Sequence, residues 1–398
     1  MLFFDVLLLL SALLLAVPCL VLLTECLAAP VRIAESPLAS ARPRPSVVVL
    51  VPAYNEQLGI TATVSALRGQ LAPGDRLLVV ADNCTDQTAE LATAAGATVV
   101  ARQEAERQGK GYALSFGAAA LAAEPPDVVV VVDADCRVAD GGIERLARRA
   151  SESGRPVQAE YLLRPPEKPD ARTALSGMAL VVKNQVRPRG LSRLGLPCLL
   201  TGSGMAFPWP LLRDATALQG NLVEDMVLAI DLALRGTPPL PCPSVSVSSE
   251  LPEGERAQQR QRRRWEHGHL SVVRSHVPRL LRAGLTRPAL LAMALDLLVP
   301  PLALLVLLLG AVGALGLVLW WLGGWVLPFA VALTGATAVT LAAAIAWLRF
   351  GRAILPVATF LLVPRYVVWK LPLYASYFLR RGSGRWERTT RPGEPDPP

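Results

Sequence analysis

From residue 46 to residue 101 the chain alternates short apolar runs with longer segments in which apolar residues recur at helical spacing. Residues 46–51 form a β-branched run, Pro52-Ala53-Tyr54-Asn55-Glu56 follows, and residues 60–71 then carry a helical period. Residues 77–80 predict a second strand ending in Ala81-Asp82-Asn83-Cys84-Thr85-Asp86. A small-residue helix over 87–95 comes next, with Asp86 or Thr85 as its N-cap. Residues 98–101 predict a third strand. The valine run 128–132 leads into Asp133-Ala134-Asp135, bounded by Pro125-Pro126 and Gly141-Gly142. A run without alternation marks a strand covered on both faces. Strands alternating with helices of this length predict a right-handed, mostly parallel, doubly wound α/β sheet. Polar residues gather at each strand's carboxyl end, where such sheets hold ligands.

A different pattern occupies the two ends of the chain. Residues 2–23 are long enough to cross ~30 Å of hydrocarbon at ~1.5 Å per residue, interrupted only by Asp5. The run has no basic segment before it and is too long for a signal peptide, so a retained anchor is expected. Residues 301–322 and 325–348 predict a helical hairpin about Gly323-Gly324. Residues 353–379 mix Arg365 and Lys370 with prolines and aromatics, which predicts a broken or interfacial segment, because a charge at mid-bilayer costs on the order of 2.5–3.5 kcal/mol. The expected organisation is an anchor over 1–29, a catalytic domain over 46–280, a membrane region over 289–380 and a basic, proline-rich tail over 381–398.

Composition agrees with the membrane reading. The chain has 398 residues, 52% of them hydrophobic, and a mean hydropathy of +0.39. Arg32, Arg42 and Arg44 after the anchor, and Arg349 and Arg352 after the hairpin, place those ends in the cytoplasm by the positive-inside rule. The net charge of +8 suits anionic membrane lipids, whereas 6% aromatic content and no recognised binding module argue against nucleic acid. The six cysteines lack zinc or disulfide spacing, as expected of reduced thiols. His267, His269 and His276 form no zinc pattern and read as surface or interfacial residues.

Two carboxylates on the same side of a strand end, Asp133 and Asp135, can face a divalent cation and the phosphates it carries. Around them, Val51-Pro-Ala-Tyr-Asn-Glu56, Asp82-Asn-Cys-Thr-Asp86, Gly109-Lys-Gly111, Glu224-Asp225 and Gln261-Arg-Arg-Arg-Trp265 occur in one order. In that order they make the chain resemble a family 2 glycosyltransferase over roughly residues 46–275. The last two motifs draw it toward the membrane-embedded branch, which includes cellulose, chitin, hyaluronan and poly-N-acetylglucosamine synthases and the ceramide glucosyltransferases.

The resemblance implies a GT-A fold, an α/β, Rossmann-like, doubly wound sheet, flanked here by N-terminal and C-terminal transmembrane helices. It also implies an inverting transfer from a UDP-sugar to a glycan or lipid-linked acceptor, in exopolysaccharide or cell-envelope glycan synthesis. Polysaccharide-assembly proteins are then candidate partners. Ala53, Tyr54, Glu56 and Asp82 correspond to the nucleotide pocket, and Lys110 sits between glycines that let a substrate approach. Asp135 is the expected metal ligand, with Asp133 shared between metal and sugar nucleotide; hard oxygen donors suit Mg2+ or Mn2+. Asp225 is the expected base and Glu224 its support. Gly202, Ser203, Gly204 and Trp209 read as the acceptor loop. Gln261 and Arg264 would meet the diphosphate, and Trp265 would floor the acceptor sugar. Thr precedes Glu-Asp in several polysaccharide synthases; Val223 stands there in this chain. Two other readings remain open, a single-step, ceramide-type lipid glycosyltransferase and an inactive membrane scaffold. The acidic residues at every site position weigh against the second.

Overall fold

The structure is a computed structural model that describes residues 1–30, 43–104, 106–164, 169–214, 223–251 and 255–379. Arg32, Arg42, Pro165, Pro166, Asn221 and the tail from 381 lie outside them.

Among the described residues eight strands form one sheet: β1 (Val47–Ala53), β2 (Arg76–Asp82), β3 (Thr98–Arg102), β4 (Val128–Val131), β5 (Arg137–Val138), β6 (Val157–Arg164), β7 (Met205–Pro208) and β8 (Leu240–Glu250). Their order is β3-β2-β1-β4-β7-β6-β8-β5. The first four are parallel, as the βα alternation predicts. Val47 to Leu50 and Val128 to Val131 are buried on both faces, which explains why neither run alternates. The rest of the sheet is mixed: β7 runs antiparallel to β4 and β6, β8 is parallel to β6, and β5 is antiparallel to β8. The sheet is therefore less parallel than the sequence pattern suggests, because only its first half is built from βα units.

Helices Ile60–Arg68, Thr88–Ala94 and Lys110–Leu121 follow β1, β2 and β3. The N-cap of the second is Gln87, not the expected Asp86 or Thr85, and it makes no side-chain cap bond; Asp86, one residue earlier, accepts from the amide (3.1 Å) and hydroxyl (2.6 Å) of Thr88, the first helical residue. Asn55 and Asn83, the two non-glycine residues with positive φ among those described (51° and 53°), turn the chain just past β1 and β2. Asparagine tolerates this conformation better than most residues. The two loops are laced together by Thr85 N–H to Asn55 Oδ1 (2.8 Å), Asn55 Nδ2 to Thr85 Oγ1 (3.0 Å) and Glu56 N–H to Thr88 Oγ1 (2.7 Å).

Residues 43–164 and 196–265 make up the unit that contains this sheet; residues 1–30, 169–195 and 266–379 form a second, helical unit. In the helical unit three helices are long and apolar enough to cross a membrane: Leu2–Ala28, Leu302–Trp321 and Leu327–Gly351. Asp5, the one charge that interrupts the first apolar run, is buried, and its Oδ1 accepts the Trp325 amide at 3.0 Å in the turn between the other two. Residues 357–379 are broken into a 3-10 turn and two short helices, Val363–Trp369 and Leu371–Leu379, with prolines at the breaks. Buried arginine joins three segments of this unit: Arg187 Nε donates to Glu25 (2.7 Å) and its Nη2 to Asp296 (2.5 Å). His269 is buried, which corrects its reading as a surface or interfacial residue.

Candidate active site

The carboxyl ends of β1, β2 and β4 carry Ala53, Asp82 and Asp133 toward one edge of the sheet, as strand direction requires. Three further segments meet the end of β4. Helix Lys110–Leu121 begins with Lys110, whose ammonium forms an ion pair with Asp133. The same ammonium donates to the Gly202 carbonyl at 2.7 Å. Gly202, at φ +94°, is so close to helix Glu224–Leu234 that a methyl group there would lie 3.4 Å from both the Asp225 carboxylate and the Lys110 ammonium. Lys110, Asp133, Gly202 and Asp225, scattered over more than a hundred residues of sequence, thus converge.

Charge follows the geometry. Burial works against the Lys110 ammonium, yet Asp133, Glu224 and Asp225 outweigh it and hold the pKa above the ordinary lysine value. Glu224 is pushed up to about 7, by burial first and then by the Asp225 carboxylate, against the pull of Lys110 and Arg264. The site therefore contains a carboxyl that holds its proton near neutrality beside another carboxylate.

Asp133, Asp135 and Cys136 each bring a ligand atom within 4.8 Å of the others. The two carboxylates fit a hard divalent cation such as Mg2+ or Mn2+. The thiol does not: Cys136 is buried, and burial and the two aspartates push it well above its ordinary value, so it keeps its proton. Asp135 Oδ2 accepts from Ser249 Oγ (2.9 Å), and the Asp133 amide donates to Ser203 Oγ (3.0 Å). Buried Gln158 in turn shapes the loop of Ser203, accepting from the Thr201 amide and donating to the Ser203 carbonyl, both at 2.8 Å. Ser249 and Gln158 carry no motif signal; a strand neighbour's polar side chain is the only hint sequence offers.

Asp82 is buried, and its carboxylate accepts from Arg102 Nη1 at 2.5 Å. Burial raises its pKa, while Arg102 and Asn83 pull it back. Tyr54 and Glu56 are half-buried in the loop laced to residues 83–88. Gln261, Arg264 and Trp265 lie half-buried on helix Glu255–Gly284. Gly204 (φ +70°) donates its amide to the Val131 carbonyl and accepts from the Ala159 amide, both at 2.9 Å.

Trp209 is not brought to the site. Because β7 runs antiparallel to β4, Met205 pairs with Val131 at the carboxyl end but Pro208 pairs with Val128 at the amino end. Trp209 follows, buried, with its amide on the Asp127 carbonyl at 2.9 Å. The acceptor loop read from sequence is thus corrected: Gly202, Ser203 and Gly204 remain at the site, while the strand carries Trp209 away.

Residues 43–268 match the profile of the glycosyltransferase like family 2. A glycosyltransferase of Mycobacterium tuberculosis, itself uncharacterized, is 36% identical over 101 residues, which are 25% of this chain and 42% of that protein. Glucosyl-3-phosphoglycerate synthase of the same organism is 36% identical over 105 residues, 25% of this chain and 31% of its own length. The chain thus spans less than half the length of these relatives. Among solved structures, the mannosyltransferase PcManGT from Pyrobaculum calidifontis, in complex with GDP-Man and Mn2+, matches with a TM-score of 0.54 at 20% identity, over 94% of this chain and 100% of that one. That likeness supplies the fold, GT-A, and the profile supplies the kinship. Spanning more than half of the chain and every motif from Val51 to Trp265, the match makes this protein a member of glycosyltransferase family 2.

Proposed function

We propose that the protein is a membrane-bound inverting glycosyltransferase that moves a sugar from a UDP-sugar to a glycan or lipid-linked acceptor at the cytoplasmic face, for exopolysaccharide or envelope glycan. The observation that carries this reading is the convergence of Lys110, Asp133, Gly202 and Asp225 at the end of β4. Inversion needs a base on the face of the sugar opposite the leaving diphosphate, and Asp225 is that base. It takes the acceptor hydroxyl's proton as the acceptor oxygen bonds to the anomeric carbon and the bond from that carbon to the diphosphate breaks. Glu224 supports it and shares its charge. UDP departs with the electron pair; Lys110 and Arg264 offer positive charge to it. Asp133 and Asp135 would hold the divalent cation, which when bound supplies further charge to the diphosphate. Gly202, without a side chain, leaves room for the acceptor between base and ammonium.

The three apolar helices support membrane attachment. Arg349 and Arg189 reach the two carbonyls just beyond the first helix, at 2.8 Å to Ala29 and 3.4 Å to Pro30, so positive charge clusters where the first and third long helices end. That cluster supports a cytoplasmic position for these ends. The test is transfer from radiolabelled UDP-sugars by the detergent-purified chain with membrane lipid extract and Mg2+ or Mn2+. Wild type should form product, and Asp225→Asn should form none while still binding UDP. Turnover by Asp225→Asn removes Asp225 as the base. A long water-soluble product marks a polymer synthase; one labelled lipid marks single transfer.

A further inference from the structure

We propose that Gln158 is a positioning residue whose clamp on the loop 201–204 decides whether the donated sugar reaches the acceptor or is lost to water. The proposal rests on the inverting-transfer reading above and goes beyond it by giving this loop a second task, the exclusion of water.

Antiparallel pairing of β6 with β7 sets Gln158 opposite Met205, the residue that follows the loop. Gln158 is 3% exposed, and its amide is engaged at both ends. Its Oε1 accepts the Thr201 amide at 2.8 Å, and its Nε2 donates to the Ser203 and Ala159 carbonyls, each at 2.8 Å. With both donors and the carbonyl bonded, the side chain has a single orientation. It holds the loop at two points, on either side of Gly202. The path held is an unusual one, because Gly202 (φ +94°) and Gly204 (φ +70°) are both left-handed and Ser203 between them is fully buried. The same loop meets the reacting end of the site. The Gly202 carbonyl accepts from the Lys110 ammonium at 2.7 Å, and Ser203 Oγ accepts the Asp133 amide at 3.0 Å. One buried side chain on β6 thus sets, through a few residues of backbone, where Lys110 and the end of β4 stand.

On the reading above, Asp225 takes a proton from the hydroxyl that attacks the anomeric carbon, and water can offer that hydroxyl as well as an acceptor can. In that side reaction the water oxygen bonds to the anomeric carbon, its proton passes to Asp225, and the bond to the diphosphate breaks with the electron pair leaving on UDP. Free sugar is the product. The base does not distinguish the two nucleophiles, so the walls around it must. Gly202 is such a wall: a methyl group on it would lie 3.4 Å from both the Asp225 carboxylate and the Lys110 ammonium. A shift of the loop by about 1 Å misplaces the acceptor and opens the gap to water. Gln158 prevents that shift, acting through the loop and away from the reacting atoms.

The experiment supplies the full chain in detergent with radiolabelled UDP-glucose, UDP-galactose or UDP-N-acetylglucosamine, membrane lipid extract and Mn2+. Transferred label, free sugar and UDP affinity are measured for wild type, Gln158→Met, Gln158→Asn, Lys110→Met and the double variant Gln158→Met with Lys110→Met. Gln158→Met should lower kcat for transfer about ten- to a hundredfold while UDP affinity stays within about twofold. Free sugar per sugar transferred should rise at least about threefold. Gln158→Asn keeps the amide on a shorter side chain and should show the same changes at smaller size, so it carries the test if the methionine variant fails to fold. The double variant should lose less than the product of the single losses, because both residues act on one loop. A folded Gln158 variant with the wild-type division between transfer and water overturns the proposal. Transfer, hydrolysis and UDP binding that fall by one common factor also overturn it, by showing a structural role only, and so do losses that multiply fully in the double variant. Wild type that turns over none of these donors overturns the UDP-sugar reading itself, and this proposal with it.

Discussion

Replacing Glu224 by glutamine should change how the protein's stability depends on pH. The carboxyl is half-buried in the first turn of helix Glu224–Leu234, where burial and then Asp225 raise its pKa from 4.5 to about 7. Between those values the folded protein keeps a proton that the unfolded chain has released. Stability contributed by the protonated group is thus fully present below about 4.5, declines as pH rises to about 7, and is lost above. A displacement of about 2.5 pH units corresponds to at most about 3.4 kcal/mol. Glutamine keeps the shape of the protonated carboxyl and cannot ionise, so the variant escapes this loss. Thermal unfolding of both proteins in one detergent, followed by tryptophan fluorescence from about pH 5 to about pH 8.5, reads the difference. Wild type should fall behind Glu224→Gln progressively up to about pH 7 to 7.5, after which the gap should stay constant. A gap independent of pH, or one that closes as pH rises, would refute the reasoning about burial and Asp225 together.

Other substitutions probe separate parts of the account. Gly204→Ala puts a methyl group 2.6 Å from Val247 Cγ2 and 2.9 Å from Ala159 Cβ at φ +70°. Left-handed strain of about 1–2 kcal/mol and overpacking of about 1–3 kcal/mol should lower its melting temperature by several degrees. Gly202→Ala carries the same left-handed strain, at φ +94°, but its nearest neighbours lie at 3.4 Å, so without the overpacking term it should melt above Gly204→Ala while losing turnover, because the methyl group stands between Asp225 and Lys110. Arg187→Met leaves Glu25 and Asp296 buried without their cation and should cost about 3–5 kcal/mol in detergent unfolding. Combining it with Glu25→Gln and Asp296→Asn should recover most of that loss, and no recovery would show that the charges are not its cause.

What sequence reveals here is what depends on local order. The apolar runs at 46–51 and 128–132 gave strands because a β-branched run can be buried on both faces of a parallel sheet. Asp86 bonds the first residue of its helix because that contact needs only a side chain two residues upstream, although the cap position itself falls to Gln87. Chain-ends long enough to span hydrocarbon gave three helices of suitable length. Asp5 looked like a flaw in the first of them until its partner, the Trp325 amide 320 residues away, was visible. Distance along the chain hides the rest. Ser249 reaches Asp135 across 114 residues, and Gln158 shapes a loop 43 to 45 residues on. No spacing rule connects such pairs. Trp209 was misplaced for a topological reason: proximity in sequence to Gly202–Gly204 suggests one loop, but an antiparallel strand of four residues lies between them. Arg102 went unnoticed because an arginine at a strand end is ordinary until its register partner is known to be Asp82.

The central claim, that Asp133 and Asp135 form the cation and diphosphate site of a sugar-nucleotide enzyme, is tested most directly by UDP binding to the full-length, detergent-purified chain with and without Mn2+. Wild type should bind UDP at least about tenfold more tightly with the metal, and Asp135→Asn should lose that enhancement while keeping its metal-free affinity. Wild-type affinity indifferent to Mn2+, or an enhancement undiminished in Asp135→Asn, would contradict the account.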